Sequence, residues 1–537
     1  MEIALQGMNV PRHIVLVGCG FSGTSAFFQL VDQYAVEKIT IFEATGDFGP
    51  GYAYRTNESQ DYLINNTTDT MCLVPSNRRA FVTWLQARPD LAPELDESGH
   101  LPRPVYGTFL KDVFAATRTN AAIKGIAVEL ISHSVTDIAE TGETVRITWD
   151  GGSIDADAVV LTTGRSKEYQ PFPMPRNDGA KYFASHLKCP NLDEIPMSAT
   201  VHIMGASLSA YDVLNRLFAD TTGCRFERSA AGELTFVPGS NLRHAVLCSR
   251  NGRLKAMQSR HDIQIKRTAF TREHIRNLYE TNSLDLHALG NLIIRDASAN
   301  EAQLDYDALL DPYGNCESAE EVNSTALSSL ERAIRLAKGD GGPNFLVDFF
   351  SDAQVDLWDI FAEHLLSAQD EATYRSRLET AVLCFAAPCP IPTAEKILAL
   401  LKAGRLRIVK GVSQVSLNED GGPYQIKHNF GVERADILVN TIGAVNRSVQ
   451  DPSQDELTRN LAQKGYLQPY VRDGVKLPGA DIDMTTFRLK GSERIYAANM
   501  MLWGPGFFTS SAFMMATIVE RLLKAMFRGA DNHTQTG

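Results

Sequence analysis

Cysteine pairs, histidine clusters, long apolar runs and an excess of basic charge are all missing from this chain. Its eight cysteines (Cys19, Cys72, Cys189, Cys224, Cys248, Cys316, Cys384 and Cys389) include no C-x-x-C pair. That argues against a zinc site or a dithiol redox centre and fits a reducing compartment. The twelve histidines show no H-x-x-x-H or H-x-H spacing, so no metal is expected. The first apolar run, Ile14–Gly20, is too short to span a bilayer and lacks a basic lead-in with a cleavage site. No other stretch reaches membrane length. Lysine and arginine number 52 against 64 acidic residues, a net charge of −12, which disfavours nucleic acid or an anionic membrane as a general partner. A cytoplasmic protein acting without membrane or nucleic acid is expected.

What is present is length and a repeated local order. A chain of 537 residues exceeds one compact core. Residues 13–43 read as strand, turn, helix and strand (HIVLV, GCGFSG, TSAFFQLVDQY, KITIFE), and residues 200–250 repeat the scheme (TVHIM, GASLSA, YDVLNRLFAD, RHAVLCSR).

The first turn is Gly18-x-Gly20-x-x-Gly23. Gly18 permits the tight turn, Gly20 opens the backbone to a pyrophosphate, and Gly23 lets the helix pack close to the sheet. Phe21 and Ser22 lie within the motif at the helix N-terminus, whose unpaired amides and positive dipole end suit phosphate, and they belong to the same binding set. Glu43 closes the second strand. A carboxylate there accepts hydrogen bonds from ribose hydroxyls and repels a 2′-phosphate, so the adenosine half of FAD fits, NAD fits less well and NADP poorly. The competing reading is a glycine turn with an unrelated surface glutamate.

The second turn, Gly205-x-Ser207-x-Ser209-Ala210, keeps one of the three glycines. Small hydroxyl residues still allow close approach and donate to phosphate. No acidic residue ends the next strand, where Ser249-Arg250-Asn-Gly-Arg253 stands. Guanidinium groups at Arg250 and Arg253 would pair with a 2′-phosphate and favour NADPH over NADH. The alternative is a domain that keeps the fold without binding, its arginines being surface charge.

Between these openings AVELISHSV and ETVRITWD read as an antiparallel meander. Thr271–Leu401 turns to helical periodicity, strands return in RLRIVKGVSQVSL and ERADILVNTIGA, and a last strand, RIYAANM, precedes a Gly-Pro-Gly turn and a closing helix. Met514 and Met515 in that helix read as core packing. The expected fold class is α/β with two dinucleotide-binding Rossmann-like domains, the FAD domain discontinuous, and a helical insertion. The expected divisions are 10–195 (first part of the FAD domain), 196–270 (NAD(P)H domain), 271–404 (helical insertion), 405–527 (second part of the FAD domain) and a tail, 528–537.

Several segments resemble a known family. Gly49-Pro-Gly-Tyr-Ala-Tyr-Arg55, Asp61-Tyr-Leu-Ile-Asn-Asn66, Phe81-x-x-Trp-Leu85 and Pro102-Arg103-x-x-Tyr106-Gly107-x-x-Leu110 are similar to the FAD/NAD(P)-binding flavoproteins. Leu161-Thr-Thr-Gly164 resembles the L-A-T-G linker of class B flavin monooxygenases, and Gly504-Pro-Gly506 with Phe508 the closing isoalloxazine segment. The likeness covers about 13–250 and 405–525. It departs at Ala497-Ala-Asn499, where a Gly-Asp pair is usual, and at LCFAAPCPIPT (383–393), which lacks an Arg/His-rich segment.

The resemblance implies FAD contacts from Tyr54, Asn65, Thr163, Gly164, Asn499 and Phe508. It implies Asn66 and Arg55 as candidate catalytic groups, although Asn66 also fits a plain turn residue. For an acidic amino-acid substrate, a carboxylate clamp would come from Arg55, Arg78, Arg79, Arg103 or Arg165, each of which also fits a solvated or structural role. His186 is placed near the domain junction. The implied activity is an FAD- and NADPH-dependent monooxygenase using dioxygen on a small polar metabolite. N-hydroxylation of an amine or amino acid such as L-aspartate is favoured, since the family includes enzymes that convert aspartate towards nitrosuccinate. The alternatives are a flavin dehydrogenase or C-hydroxylase, and a non-catalytic FAD-binding redox partner.

Overall fold

Apolar strands too short to stand alone need neighbours on both edges, and the chain supplies them as two parallel sheets. The structure is a computed structural model describing residues 10–164, 170–185, 187, 190–260, 265–442, 447–509 and 511–528. Strand β1 (His13–Val17) leads into helix α1 (Phe21–Gln33), then β2 (Lys38–Phe42), helix α2 (Arg103–Ile123), β3 (Ala127–Ile131) and β4 (Ala158–Leu161). Ile14, Val15 and Leu16 are fully buried because β1 lies between β2 and β4, with Leu16 opposite Ile41 on one side and Val160 on the other. Helix α1 buries Ala26, Phe27, Leu30 and Val31, a spacing that puts them on one face against this sheet.

The second sheet contains β5 (Lys181–Phe183), β6 (Thr200–Met204), β7 (His244–Ser249), β8 (Leu406–Lys410) and β9 (Ile437–Asn440), with helix α3 (Leu208–Leu217) after β6. Strand β10 (Ile495–Ala497) returns to the first sheet beside β4. Four strands repeat one order, β4-β1-β2-β3 and β9-β6-β7-β8, and a fifth flanks each, β10 from later in the chain and β5 from earlier. Each also carries an antiparallel three-stranded meander before its fourth consecutive strand, at 135–156 and at 414–435. The expected α/β class with two Rossmann-like units and a discontinuous first domain is met.

Three expectations need correction. Ala127–Ile131, placed in the meander from its alternation, is the edge strand of the parallel sheet, and its alternation records one-sided exposure. Residues 405–440, assigned to the first domain, belong to the second: Ala245 pairs with Leu406, and Leu438 with His202. Residues 181–183, assigned to the first domain, pair with β9 of the second. The physical reason is that the helical section is an enlarged crossover between β7 and β8, so the second sheet is completed only after it.

That section packs in two directions. Helices α4 (Ala319–Ala337) and α5 (Ile391–Lys402) bury Leu330, Ile334, Ile397 and Leu400 in the core of the second sheet. Phe270, Phe345, Phe349 and Phe361 instead form a separate core with Phe507 and Phe508. The closing helix α6 (Ala512–Phe527) lies on the first core through Met514, Met515, Ile518 and Leu522. Among the described residues, no helix is long and apolar enough to cross a membrane.

Candidate functional site

The turn after β1 is held open by its glycines. Gly18 has φ +101° and donates its N–H to the Phe42 carbonyl at 2.8 Å, while Thr162 Oγ1 donates to the Gly18 carbonyl at 2.6 Å. A Cβ on Gly18 would stand 2.6 Å from the Thr162 oxygen, and one on Gly23 2.2 Å from the Gly18 oxygen. The bare face of Gly20 meets Gly51, where a Cβ would lie 2.4 Å from the Gly20 Cα. The Gly49–Gly51 segment therefore packs directly on the motif, and Gly49 N–H donates to the Cys19 carbonyl at 2.9 Å. Helix α1 has no side-chain cap and no acidic residue in its first turn, which leaves its N-terminal amides to an anion.

Glu43 stands at the end of β2. Its Oε2 accepts from Cys19 N–H at 3.1 Å, and its Oε1 accepts from Thr45 N–H (3.1 Å) and Thr45 Oγ1 (2.8 Å). These bonds fix the carboxylate beside a cavity of about 440 Å³ lined by Gly18, Glu43, Thr163, Gly164 and Asn499. His133–Thr136 and Asp455–Thr458 complete its walls. Asn499 donates from Nδ2 to Thr163 Oγ1 at 3.2 Å and accepts from Met501 N–H at 3.0 Å. The amide at the departure from the family pattern thus ties β10 to the linker after β4. A glycine cradle that no Cβ could enter, a helix N-terminus and an anchored ribose acceptor fit the ADP half of a dinucleotide.

The Asp61–Asn66 segment is braced from one side by residues 100–103. Ile64 N–H donates to the Leu101 carbonyl (2.8 Å), Arg103 N–H to Tyr62 (2.8 Å) and Arg103 Nε to Leu63 (3.0 Å). His100 Nδ1 lies 3.1 Å from the carbonyls of both Ile64 and Asn66. Burial lowers the His100 pKa, which favours a neutral ring donating from Nδ1. As a lone histidine with no spacing signature, His100 was invisible to motif reading. Among the described residues the half-buried Asn65 and Asn66 carboxamides have no hydrogen-bond partner. Tyr54 packs edge-on to Tyr106 at 4.9 Å, and its carbonyl sits where a Cβ on Gly107 would come within 1.8 Å.

The clamp candidates separate. Arg103 is buried, with Nη2 2.8 Å from Asp212 on α3, so it joins the two domains. Arg79 pairs with Glu97 at the surface, and Arg78 lies over the Phe513 ring. Arg55 stacks on Tyr52 with Nη2 3.6 Å from Glu58, and its Nε and Nη2 are buried without a hydrogen bond. Arg165 and His186 lie outside the described residues. Phe508 (φ +50°) is buried against the helical section and does not line the cavity.

The second turn repeats the backbone of the first. Gly205 (φ +122°) donates its N–H to the Cys248 carbonyl at 2.8 Å, as Gly18 does to Phe42. Thr441 Oγ1 donates to the Met204 carbonyl at 2.8 Å, as Thr162 does to Val17 at 3.1 Å. Ser207 is exposed at the uncapped start of α3, and Ser209 is half-buried in its first turn. Ser249, in the place of Glu43, accepts from Gly252 N–H at 2.9 Å. Arg250 is exposed. Arg253 corrects the expectation made for it: the side chain is buried and Nη2 donates to the carbonyls of Ala308 (2.9 Å) and Leu309 at the end of the short helix Tyr306–Leu310. Those carbonyls have no continuing helix to satisfy them, and Nη2 is committed to them.

Residues 15–166 match the family described as FAD-NAD(P)-binding. The Uncharacterized protein YdhS of Escherichia coli is 28% identical over 213 residues, covering 37% of this chain. The match spans 38% of that curated relative's length. Among solved structures, L-lysine 6-monooxygenase from Pseudomonas syringae is similar with a TM-score of 0.50 at 15% identity, covering 96% of this chain and 99% of that one. The FAD-bound cadaverine monooxygenase of the desferrioxamine pathway from Erwinia amylovora is similar with a TM-score of 0.54 at 11% identity, covering 96% and 94%. At these identities the likeness to solved structures is one of fold.

Proposed function

We propose that this protein is an FAD- and NADPH-dependent monooxygenase that hydroxylates a small polar metabolite, with an amine or amino-acid nitrogen as the favoured acceptor. The observation that carries the reading is the pair of nucleotide turns with one backbone geometry and opposite side-chain chemistry. Glu43 marks the first for an unphosphorylated ribose, whereas the second has Ser249 and an exposed Arg250 at the corresponding corner. Two dinucleotides, one resident and one delivering hydride, suit such a pair. The L-lysine and cadaverine monooxygenases share the fold over nearly the whole chain, and both names denote amine substrates.

Bound FAD supplies the redox and oxygen chemistry. Gly18–Gly23 and the α1 amides hold its pyrophosphate, Glu43 its ribose, and Thr163, Gly164 and Asn499 the opposite wall. The free carboxamides of Asn65 and Asn66 hydrogen-bond the flavin edge or the substrate. Arg55, with two buried nitrogens lacking hydrogen bonds, is the clamp candidate for a substrate carboxylate. Ser207, Ser209 and Arg250 receive the NADPH phosphates.

The test is an anaerobic absorbance titration of the purified protein with NADPH and, separately, NADH, followed by oxygen uptake with a panel of amines beginning with L-aspartate. Preferential bleaching by NADPH and amine-stimulated oxygen consumption are expected. A flavin that neither nucleotide reduces, with or without amines, sinks the monooxygenase reading.

A further inference from the structure

The Gly504-Pro505-Gly506 turn follows shortly after Asn499, a residue of the cavity wall. The turn is wedged in place. A Cβ on Gly504 would stand 1.7 Å from the Pro478 carbonyl oxygen, and one on Gly506 2.4 Å from the Trp358 ring. Glycine at both positions lets the hairpin ending at Ala480 and the helix Gln354–Ala362 close on the turn.

The remaining contact is a buried cation. Arg375, its side chain only 4% exposed, sits in a π-helical turn, Tyr374–Leu378, between the helices Ala368–Thr373 and Glu379–Ala386. Such turns are concentrated at functional sites. Its Nη2 donates to the carbonyls of Gly504 (2.6 Å) and Gly506 (2.8 Å), and its Nη1 donates to Glu379 Oε1 (2.7 Å). Its Cζ lies 4.5 Å from the centre of the Phe361 ring. Glu379 Oε2 in turn accepts from Arg447 (3.0 Å), and Glu371, 3.7 Å from Arg375, accepts from Arg472 (2.7 Å). Nη2 holds both carbonyls while Nη1, on the other prong, holds the carboxylate, whereas a lysine has one nitrogen, on a shorter stem, for all three.

We propose that Arg375 is a positioning residue through which the helical section sets the Gly504–Gly506 turn and, through the Met500–Trp503 turn bonded to it, the Asn499 and Met501 wall of the cavity. Its consequence for flavin rests on the proposed function, whereas the clamp itself rests on the hydrogen bonds.

The test compares wild type, Arg375→Lys and Glu379→Gln as purified holoprotein, with two readouts. Lysine keeps the charge opposite Glu379 but gives up the fork. Glutamine at 379 removes that carboxylate and leaves both carbonyl bonds to Arg375. The first readout is hydrogen exchange of the peptide 500–509, in which Gly506 N–H is bonded to the Leu502 carbonyl at 2.8 Å. The second is the visible circular dichroism of the bound flavin at matched FAD content. Arg375→Lys is expected to raise exchange on the order of tenfold and to shift the flavin bands, with a smaller change in both for Glu379→Gln, which loosens the ion pairs but keeps the two carbonyl bonds. Unchanged exchange in Arg375→Lys overturns the clamp. Raised exchange with an unchanged flavin spectrum overturns the positioning role. A wild-type chain that takes up no flavin fails the proposed function and the positioning role with it, while the exchange comparison still decides the clamp.

Discussion

Replacing Glu43 by glutamine is the sharpest single perturbation of the first nucleotide site. Three donors surround the two carboxylate oxygens: Cys19 N–H on Oε2, and Thr45 N–H and Oγ1 on Oε1. A glutamine must turn its NH2 towards Cys19 or Thr45, donor against donor, and the oxygen it keeps carries no charge. Hydrogen bonds to a charged group contribute about 1.5–3 kcal/mol each. Losing one such bond to a ribose hydroxyl weakens FAD binding roughly 10- to 150-fold. The assay is a fluorescence titration of flavin-free protein with FAD, run beside a thermal melt of the same flavin-free protein to separate affinity from folding. An FAD Kd within about threefold of wild type, with the melt unchanged, would refute the assignment of Glu43 to the ribose.

Three further outcomes follow from the contacts around the site. Asp212→Asn leaves Arg103 buried without its carboxylate and should cost about 3–5 kcal/mol in chemical denaturation, while Arg103→Met with Asp212→Leu recovers only part of it, because methionine also gives up the bond to the Leu63 carbonyl. A double variant no more stable than Asp212→Asn would refute the uncompensated charge as the source of the cost. Gly107→Ala drives a Cβ to 1.8 Å from the Tyr54 carbonyl and should cost about 1–3 kcal/mol in a thermal melt, with weaker FAD binding as the Tyr54 segment shifts. For His100 the folded pKa lies below the ordinary imidazole value, so as pH falls below about 6.5 the unfolded ring takes up protons that the folded ring does not. Stability is therefore lost on acidification, and the hydrogen-exchange protection factors of residues 61–66, taken relative to the intrinsic rate at each pH, should fall there in wild type but not in His100→Gln.

The first nucleotide turn was legible because its chemistry is local. Gly18, Gly20, Gly23 and Glu43 sit within one strand–turn–helix–strand unit, and each glycine has a contact that a side chain would fill. The helical section and the buried Met514 and Met515 were legible for the same reason, from periodicity along one element. What depended on partners distant in sequence was not. RLRIVK would suit either sheet, and only its pairing with β7 decides between them. Arg253 had the right chemistry for a 2′-phosphate, yet its side chain is buried and bonded to the carbonyls of Ala308 and Leu309. Arg103 resembled a substrate clamp until Asp212 supplied its carboxylate. His100 and Arg375 act through backbone carbonyls, which leave no mark on the partner's residue type.

The repeated topology explains why a degenerate motif can keep its geometry. Gly18 and Gly205 make the same N–H bond to the neighbouring strand, and Thr162 and Thr441 bond the same carbonyl position from the strand on the other side. In the second domain the turn is held by its first glycine and the flanking strands, so Ser207 and Ala210 at the second and third glycine positions cost it little. A Cβ on Gly23 would strike the Gly18 oxygen, so the first domain has no equivalent freedom at its third glycine. The difference between the sites then rests on the corner after the second strand of each sheet. Glu43 is turned to Cys19 and faces the cavity, whereas Ser249 is turned to its own loop and leaves Arg250 at the surface. One backbone plan thereby sets a carboxylate at the cavity in the first domain and an exposed arginine beside the same corner in the second, the difference on which the proposed FAD and NADPH assignment rests.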